Sequence, residues 1–262
     1  MTQQSESNTP EDPGLPFPKP RDVKVGAPFR WLASGLSDLG SCPIPSLFYG
    51  FCFAGMGFLI TLVFEHAYEY TMAVTSGFLL LGPFLAMGLY EISRRREFGE
   101  ICSLAPTLSV WRRNAGNIGI FAVVLGVVFL VWARASLVIF ALFYTHEVPN
   151  LSGFLAQVVR FENLDFLAVY FSVGFIFATI AFGVSIVSIP LMLDRNQDAI
   201  SSMIGSISVL FRNPGVMLLW ALLLVSLTII GFLTFHLGLV FLMPVIGHAT
   251  WHAYRELVEP LP

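Results

Sequence analysis

Charge is what this sequence has least of. Of its 262 residues, 12% are Asp, Glu, Lys or Arg and 56% are hydrophobic, whereas a soluble domain carries about a quarter charged residues. One soluble core cannot hide that much apolar surface without leaving large patches in water. The shortage is uneven. Leu39 to Phe64 and Val216 to Tyr254 contain no Asp, Glu, Lys or Arg, and a membrane-spanning helix needs about 20 apolar residues. Net positive charge is missing too: the formal value of −3 at pH 7 argues against a nucleic-acid partner. Cysteine is scarce. Cys42, Cys52 and Cys102 make no CxxC pair, and an odd, scattered set points neither to a disulfide framework nor to a zinc site. No catalytic constellation appears, so no catalytic residue, enzymatic activity or cofactor is expected. The first residues, "MTQQSESNTPEDPGLPFPKP", lack the apolar core and cleavage site of a signal peptide. Residues 1–28 read as a disordered cytoplasmic tail, and residues 29–258 as the membrane domain.

What is present is the pattern of an all-α, polytopic membrane bundle. Hydropathy places six spans near 45–65, 71–92, 115–143, 166–192, 215–235 and 237–256. The last two share one apolar stretch and are expected to turn tightly around Thr234 to Gly238. Basic residues set the orientation. Lys19, Arg21, Lys24 and Arg30 precede the first span, and Arg94, Arg95, Arg96, Arg112 and Arg113 follow the second. Arg195 and Arg212 follow the fourth, and Arg255 closes the sixth. With six spans all of these share one side. The other side has Arg160, beside Glu65, Glu69, Glu147, Glu162 and Asp165. Both termini are therefore expected in the cytoplasm.

Three stretches repeat one spacing before a span. They are Phe29, Leu32, Leu36, Leu39; Ile101, Leu104, Leu108, Trp111; and Ile200, Met203, Ile207, Leu210. Each lies at i, i+3, i+7, i+10, one face of a helix. Three residues later stand Cys42-Pro43, Asn114-Ala115 and Asn213-Pro214, and a span begins. The pattern predicts three tandem units, each a cytoplasmic interfacial helix, a break and a transmembrane hairpin. Pro43 and Pro214 suit the first turn of the following helix, where no N–H is needed. The returning spans carry Pro83, Pro190 and Pro244.

The stretches "WLASGLSDLGSCPIPSLFYG", "GPFLAMGLYEISRRREFGE", "SIPLMLDRNQDAI" and "GHATWHAYRELV" together resemble a family of predicted integral membrane proteins of proteobacteria, classed as a domain of unknown function. The resemblance covers about residues 25–258. It implies a multi-pass protein of the bacterial inner membrane and supplies no catalytic residues. Some relatives carry a cytochrome c oxidase subunit I label. The catalytic sense of that label does not fit, because such a subunit has many more spans and a set of buried haem and copper histidines. What the label does imply is an accessory or assembly partner of a larger membrane complex, such as a respiratory terminal oxidase. A small-solute or lipid transporter is the second function the sequence admits, and a haem- or metal-binding protein the third.

His248 and His252 are the cofactor candidates. At i, i+4 they share a helix face that suits a metal, but no third ligand is adjacent, unless Cys42 and Cys102 converge on them. Two turns of one helix fit a bis-histidine haem badly. The plainer reading makes them hydrogen-bonding groups at a membrane edge, with Trp251 and Tyr254 as interfacial anchors and Arg255 reaching the headgroups. Arg94, Arg95 and Arg96, in "SRRRE" after Glu91, read as a topology-setting anchor that also meets anionic lipid. Arg134, in "FLVWARASLVIF", is the intramembrane polar site. It either faces the bundle interior, toward Glu147, Glu162 or Asp165 or helix carbonyls, as a contact for an anion or substrate or a docking charge for another membrane subunit, or snorkels outward toward the level of Tyr144. His66, His146 and His236 fall on the outer side with Glu65, Glu69 and Glu147, as a loose metal set or as solvated loop residues. Segment 145–165 is the one sizeable outer loop. Gly50, Ala54, Gly55 and Gly57 allow close helix approach in the first span. The partners expected are the lipid bilayer and a membrane complex.

Overall fold

The computed structural model describes residues 19–66, 71–144, 160 and 162–259, with the side chains of 64, 65 and 71–80 left out. The described chain is helical apart from one isolated antiparallel bridge, Pro20 to Val258. In order come α1 (Ala27–Ser41), α2 (Pro43–His66), α3 (Thr71–Glu97), a single turn α4 (Leu104–Thr107) and a 3-10 turn (Val110–Asn114). Then follow α5 (Ala115–Phe143), α6 (Leu164–Ser185), α7 (Ser188–Asp194), α8 (Ala199–Arg212), α9 (Pro214–Leu233) and α10 (Leu237–Leu257). Four stretches are long and apolar enough to cross a bilayer: Pro43–Val63, Leu104–Phe143, Leu164–Asp194 and Pro214–Leu233. The expected second and sixth spans fall on α3 and α10 and do not stand with these four among the described residues. In α3 the side chains of 71–80 lie outside the described residues, and the C-terminal end of α10 is polar, with His248, His252 and Arg255.

Helix α10 is the hub, packed against α1, α2, α3 and α9. Small residues let the helices close on it. A Cβ on Gly50 of α2 would lie 2.0 Å from the Val240 carbonyl oxygen. That carbonyl is the one Pro244 leaves without an i+4 amide donor, so the proline and the glycine work as a pair across the interface. A Cβ on Gly35 of α1 would meet the Val245 carbonyl at 2.5 Å. The Trp31 and Trp220 rings meet edge-on, 5.5 Å apart, between α1 and α9.

The fourth expected span is not one helix. It ends at Ser185 and restarts at Ser188. Pro190 explains the place, because its ring crowds the carbonyl four residues back, at Ile186. Helix α8 satisfies the exposed backbone: Val187 N–H donates to Ser206 Oγ at 3.3 Å, and Ser206 Oγ donates to the Gly183 carbonyl at 2.6 Å. Asp198 starts α8 by accepting from the Ser201 N–H at 2.8 Å.

The three residues that end the repeated stretches share one backbone conformation. Cys42 has φ −127 and ψ 56, Asn114 φ −142 and ψ 45, and Asn213 φ −129 and ψ 52. Each also clamps a distant segment. Asn213 Nδ2 donates to the Arg21 carbonyl at 2.9 Å, and its Oδ1 accepts from Val23 N–H at 3.1 Å. Asn114 Nδ2 donates to the carbonyls of Met192 (3.1 Å) and Gln197 (2.8 Å). Cys42 is joined to Cys102 by a disulfide, with Cα atoms 5.8 Å apart. The scattered cysteines pointed to no disulfide framework, but the start of α2 packs on the end of α3 and brings together these two residues, 60 apart in sequence. Residues 19–26, expected within a disordered tail, are held against the C-terminal segment. Arg21 N–H donates to the Leu257 carbonyl at 2.8 Å, and Glu259 N–H to the Lys19 carbonyl at 3.2 Å.

The stretches that precede spans divide their apolar residues between the core and the outer surface: Leu39 is buried, and Leu32, Met203 and Leu210 pack against the core. In α1 the inward residues are Ala27, Trp31, Gly35 and Asp38, while Phe29 and Leu36 are exposed. In α8 they are Ser202, Gly205 and Ser206, while Ile200, Ile204 and Phe211 are exposed. Ile101, Leu108 and Trp111 are exposed around α4. Trp31, Leu39 and Val209 join the small and polar groups on the inner side, and Phe29, Leu36, Ile200, Ile204 and Phe211 form the exposed apolar side.

Candidate functional site

The histidine pair on α10 lies in a buried polar chain linking α1, α2, α3 and α10. His248 is fully buried, with Nδ1 2.8 Å from Ser93 Oγ and Nε2 2.9 Å from Ser46 Oγ. Ser93 Oγ donates to Asp38 Oδ2 at 2.6 Å. A hydroxyl has one proton, so Ser93 accepts from His248, and Nδ1 is the protonated nitrogen. Ser46 Oγ lies 2.7 Å from the Cys42 carbonyl, giving its single proton two acceptors, that carbonyl and His248 Nε2. Asp38 is 1% exposed. It also accepts from His252 Nε2 at 2.9 Å and pairs through Oδ1 with Arg96. Burial alone would raise the Asp38 carboxyl. The hydrogen bonds from His252 and Ser93, with the nearby imidazoles, outweigh burial and hold it below the usual carboxylate range.

Three more acidic residues organise the same end of the molecule. Glu91 is buried and held by Arg94 and Arg113, each through two contacts of 2.8 and 2.9 Å. Glu97 accepts from Trp251 Nε1 and from Arg255 Nε, both at 3.0 Å. Asp194 accepts from Tyr254 OH at 2.7 Å, and that hydroxyl accepts from Arg195 Nε at 2.9 Å. Chemically this is a set of matched charges: each carboxylate has a cation or hydrogen-bond donors, which is what lets Asp38 and Glu91 be buried.

The anchors expected from sequence point inward. Trp251 is 1% exposed and Tyr254 fully buried, so their rings do not sit among headgroups, and their polar ends serve Glu97 and Asp194. Arg94, Arg95 and Arg96 are committed to Glu91, Glu100 and Asp38. The sequence reading missed Asp38, Ser46, Ser93, Asn114 and Asn213. For the asparagines the signal was the repeat itself. For Asp38, it was a lone acid on an otherwise apolar and small helix face.

Arg134 faces outward from α5, exposed and with no ion pair or hydrogen bond among the described residues. It does not point into the bundle, and of the three acids expected near it Glu147 lies outside the described residues. Of the outer histidines, His66 donates to the Leu62 carbonyl at 3.0 Å and His236 Nε2 lies 3.2 Å from Thr61 Oγ1. His146, Glu69, the Glu65 side chain and most of loop 145–165 lie outside the described residues. Among the described residues, no three His, Cys, Asp or Glu are grouped as a metal would require.

No match emerges among curated proteins or among solved structures. Residues 71–194, from the start of α3 to the end of α7, match the model of a family described as predicted integral membrane protein, DUF2189.

Proposed function

We propose that this integral membrane protein is a non-catalytic accessory subunit that docks beside a larger membrane complex through the outward face of α5. The observation that carries this reading is Arg134. The most apolar stretch of Leu104–Phe143 is only 6% buried, against 56% for Leu164–Asp194, and Arg134 lies exposed on it without a partner among the described residues. A cation facing hydrocarbon costs about 3 kcal/mol on insertion scales. A carboxylate or a row of carbonyls on a neighbouring membrane helix removes that cost. The complex to test first is a respiratory terminal oxidase, which the oxidase label on some relatives suggests. In this reading α3 and α10 complete six spans, and the paired basic end lies in the cytoplasm of a bacterial inner membrane.

A photo-crosslinking residue at Leu130 or Leu137, one turn either side of Arg134, tests the idea in cells. One defined membrane-protein adduct is expected, absent when the crosslinker sits at Leu222 on α9. R134Q should abolish it and R134K should keep it. Absence of an adduct, or an adduct indifferent to R134Q, overturns the reading.

A further inference from the structure

We infer that the groove between α2, α3 and the segment around α4 is a binding site for one anionic phospholipid of the leaflet that holds the basic end. The groove has a volume of about 720 Å³ and is lined by Tyr49, Cys52, Gly55 and Leu59 of α2, Leu81 and Leu85 of α3, and Thr107 and Trp111. That is within the usual range for a small-molecule site, about 300–1,000 Å³. Its walls are apolar along their length. From Tyr49 to Leu59 is ten residues of helix, about 15 Å of rise, which matches the hydrocarbon depth of one leaflet, half of about 30 Å. An acyl chain lying along α2 fits this length.

The headgroup end is built for an anion. Tyr49 OH and Thr107 Oγ1 close the floor, 2.7 Å apart. Trp111 is exposed at the mouth, and the Arg112 guanidinium lies 5.4 Å from the centre of its ring. Arg112 has no carboxylate partner among the described residues. Glu91, which the adjacent Arg113 pairs, is already matched by Arg94 and Arg113, so it does not oppose a phosphate. Arg94, Arg95 and Arg96, the cluster that reads from sequence as lipid-binding, are occupied by Glu91, Glu100 and Asp38. Arg112 is the cation at this mouth left to meet a headgroup.

The tryptophans supply the assay. Trp31, Trp220 and Trp251 are each 1% exposed, so in a W132F background Trp111 is the one indole that lipid reaches. The protein is reconstituted in phosphatidylcholine containing rising fractions of either brominated phosphatidylglycerol or brominated phosphatidylcholine, and emission is followed. Quenching by the phosphatidylglycerol should half-saturate at about fivefold lower fraction, the preference expected of one basic residue at the surface. R112Q should remove the preference and R112K should keep it. Gly55→Phe should also remove it by filling the groove, because a Cβ at Gly55 meets nothing within 4 Å and the helix tolerates the change. Equal quenching by both lipids in W132F, or a preference that survives R112Q or Gly55→Phe, overturns the assignment. W132F is common to every arm, and neither R112Q nor Gly55→Phe touches Arg134 or α5, so the assignment stands or falls apart from the docking reading.

Discussion

Asp38 is an acid with almost no exposed surface, on α1. It stays charged because Ser93, His252 and Arg96 all donate to it. Its carboxyl is held below the ordinary value in the fold, so the folded state binds that proton less readily than the unfolded chain. The stabilisation is therefore fully present above the ordinary carboxylate pKa and is lost as pH falls through the lower, folded value. D38N should cost about 2 kcal/mol at pH 7, the scale of hydrogen bonds to a charged group. It should also flatten the acid limb below about pH 4. Thermal unfolding in detergent at a series of pH values reads both effects, and an acid limb unchanged in D38N would contradict this account. The i, i+4 spacing of His248 and His252 already places them on one face, so the two histidines of this cluster were legible. Asp38 was not, because His252 and Asp38 are 214 residues apart and no local periodicity connects them.

At the scale of elements, the repeat was the most informative thing in the sequence. Its break residues Cys42, Asn114 and Asn213 fall where the spacing put them, and their side chains do the clamping. The middle unit departs from the expected helix. Pro106 has no N–H for the Cys102 carbonyl, so a helix cannot run back through Ile101, and α4 shrinks to one turn followed by a 3-10 turn. The glycines of the first span look alike in sequence and differ in the fold. A Cβ at Gly50 meets the Val240 carbonyl at 2.0 Å, whereas one at Gly55 opens on the groove. Gly50→Ala should therefore destabilise by about 1–3 kcal/mol, as overpacking does. Gly55→Ala should stay within about 0.5 kcal/mol, as substitutions without contacts do. Unfolding by SDS titration separates the two. Equal effects would mean that α2 and α10 do not meet at Gly50.

For the whole molecule the deciding question is which side the basic end faces. Ion pairs and hydrogen bonds tie Arg96 to Asp38, Arg255 to Glu97 and Asp194, Arg195 to Tyr254, Arg212 to Asp22 and Arg30 to Glu256. The N-terminal segment, the ends of α3 and α7 and the C-terminal residues therefore share one end. Counting Lys and Arg along the sequence gave the same grouping, because charge bias needs only the order of the spans. Partners 58 to 226 residues away could not be read from that order. The bias assigns this end to the cytoplasm. The Cys42–Cys102 pair lies there too, and a lasting disulfide belongs to oxidising compartments, so the two features make opposing demands. A fluorescent reporter that matures only in the cytoplasm, fused at either chain end, should be bright. Alkylation in acid-quenched cells should then find Cys42 and Cys102 as free thiols that close to a disulfide only after lysis in air. Dark fusions with the pair already oxidised in the cell would turn the molecule over, and the headgroup at Arg112 would then belong to the opposite leaflet.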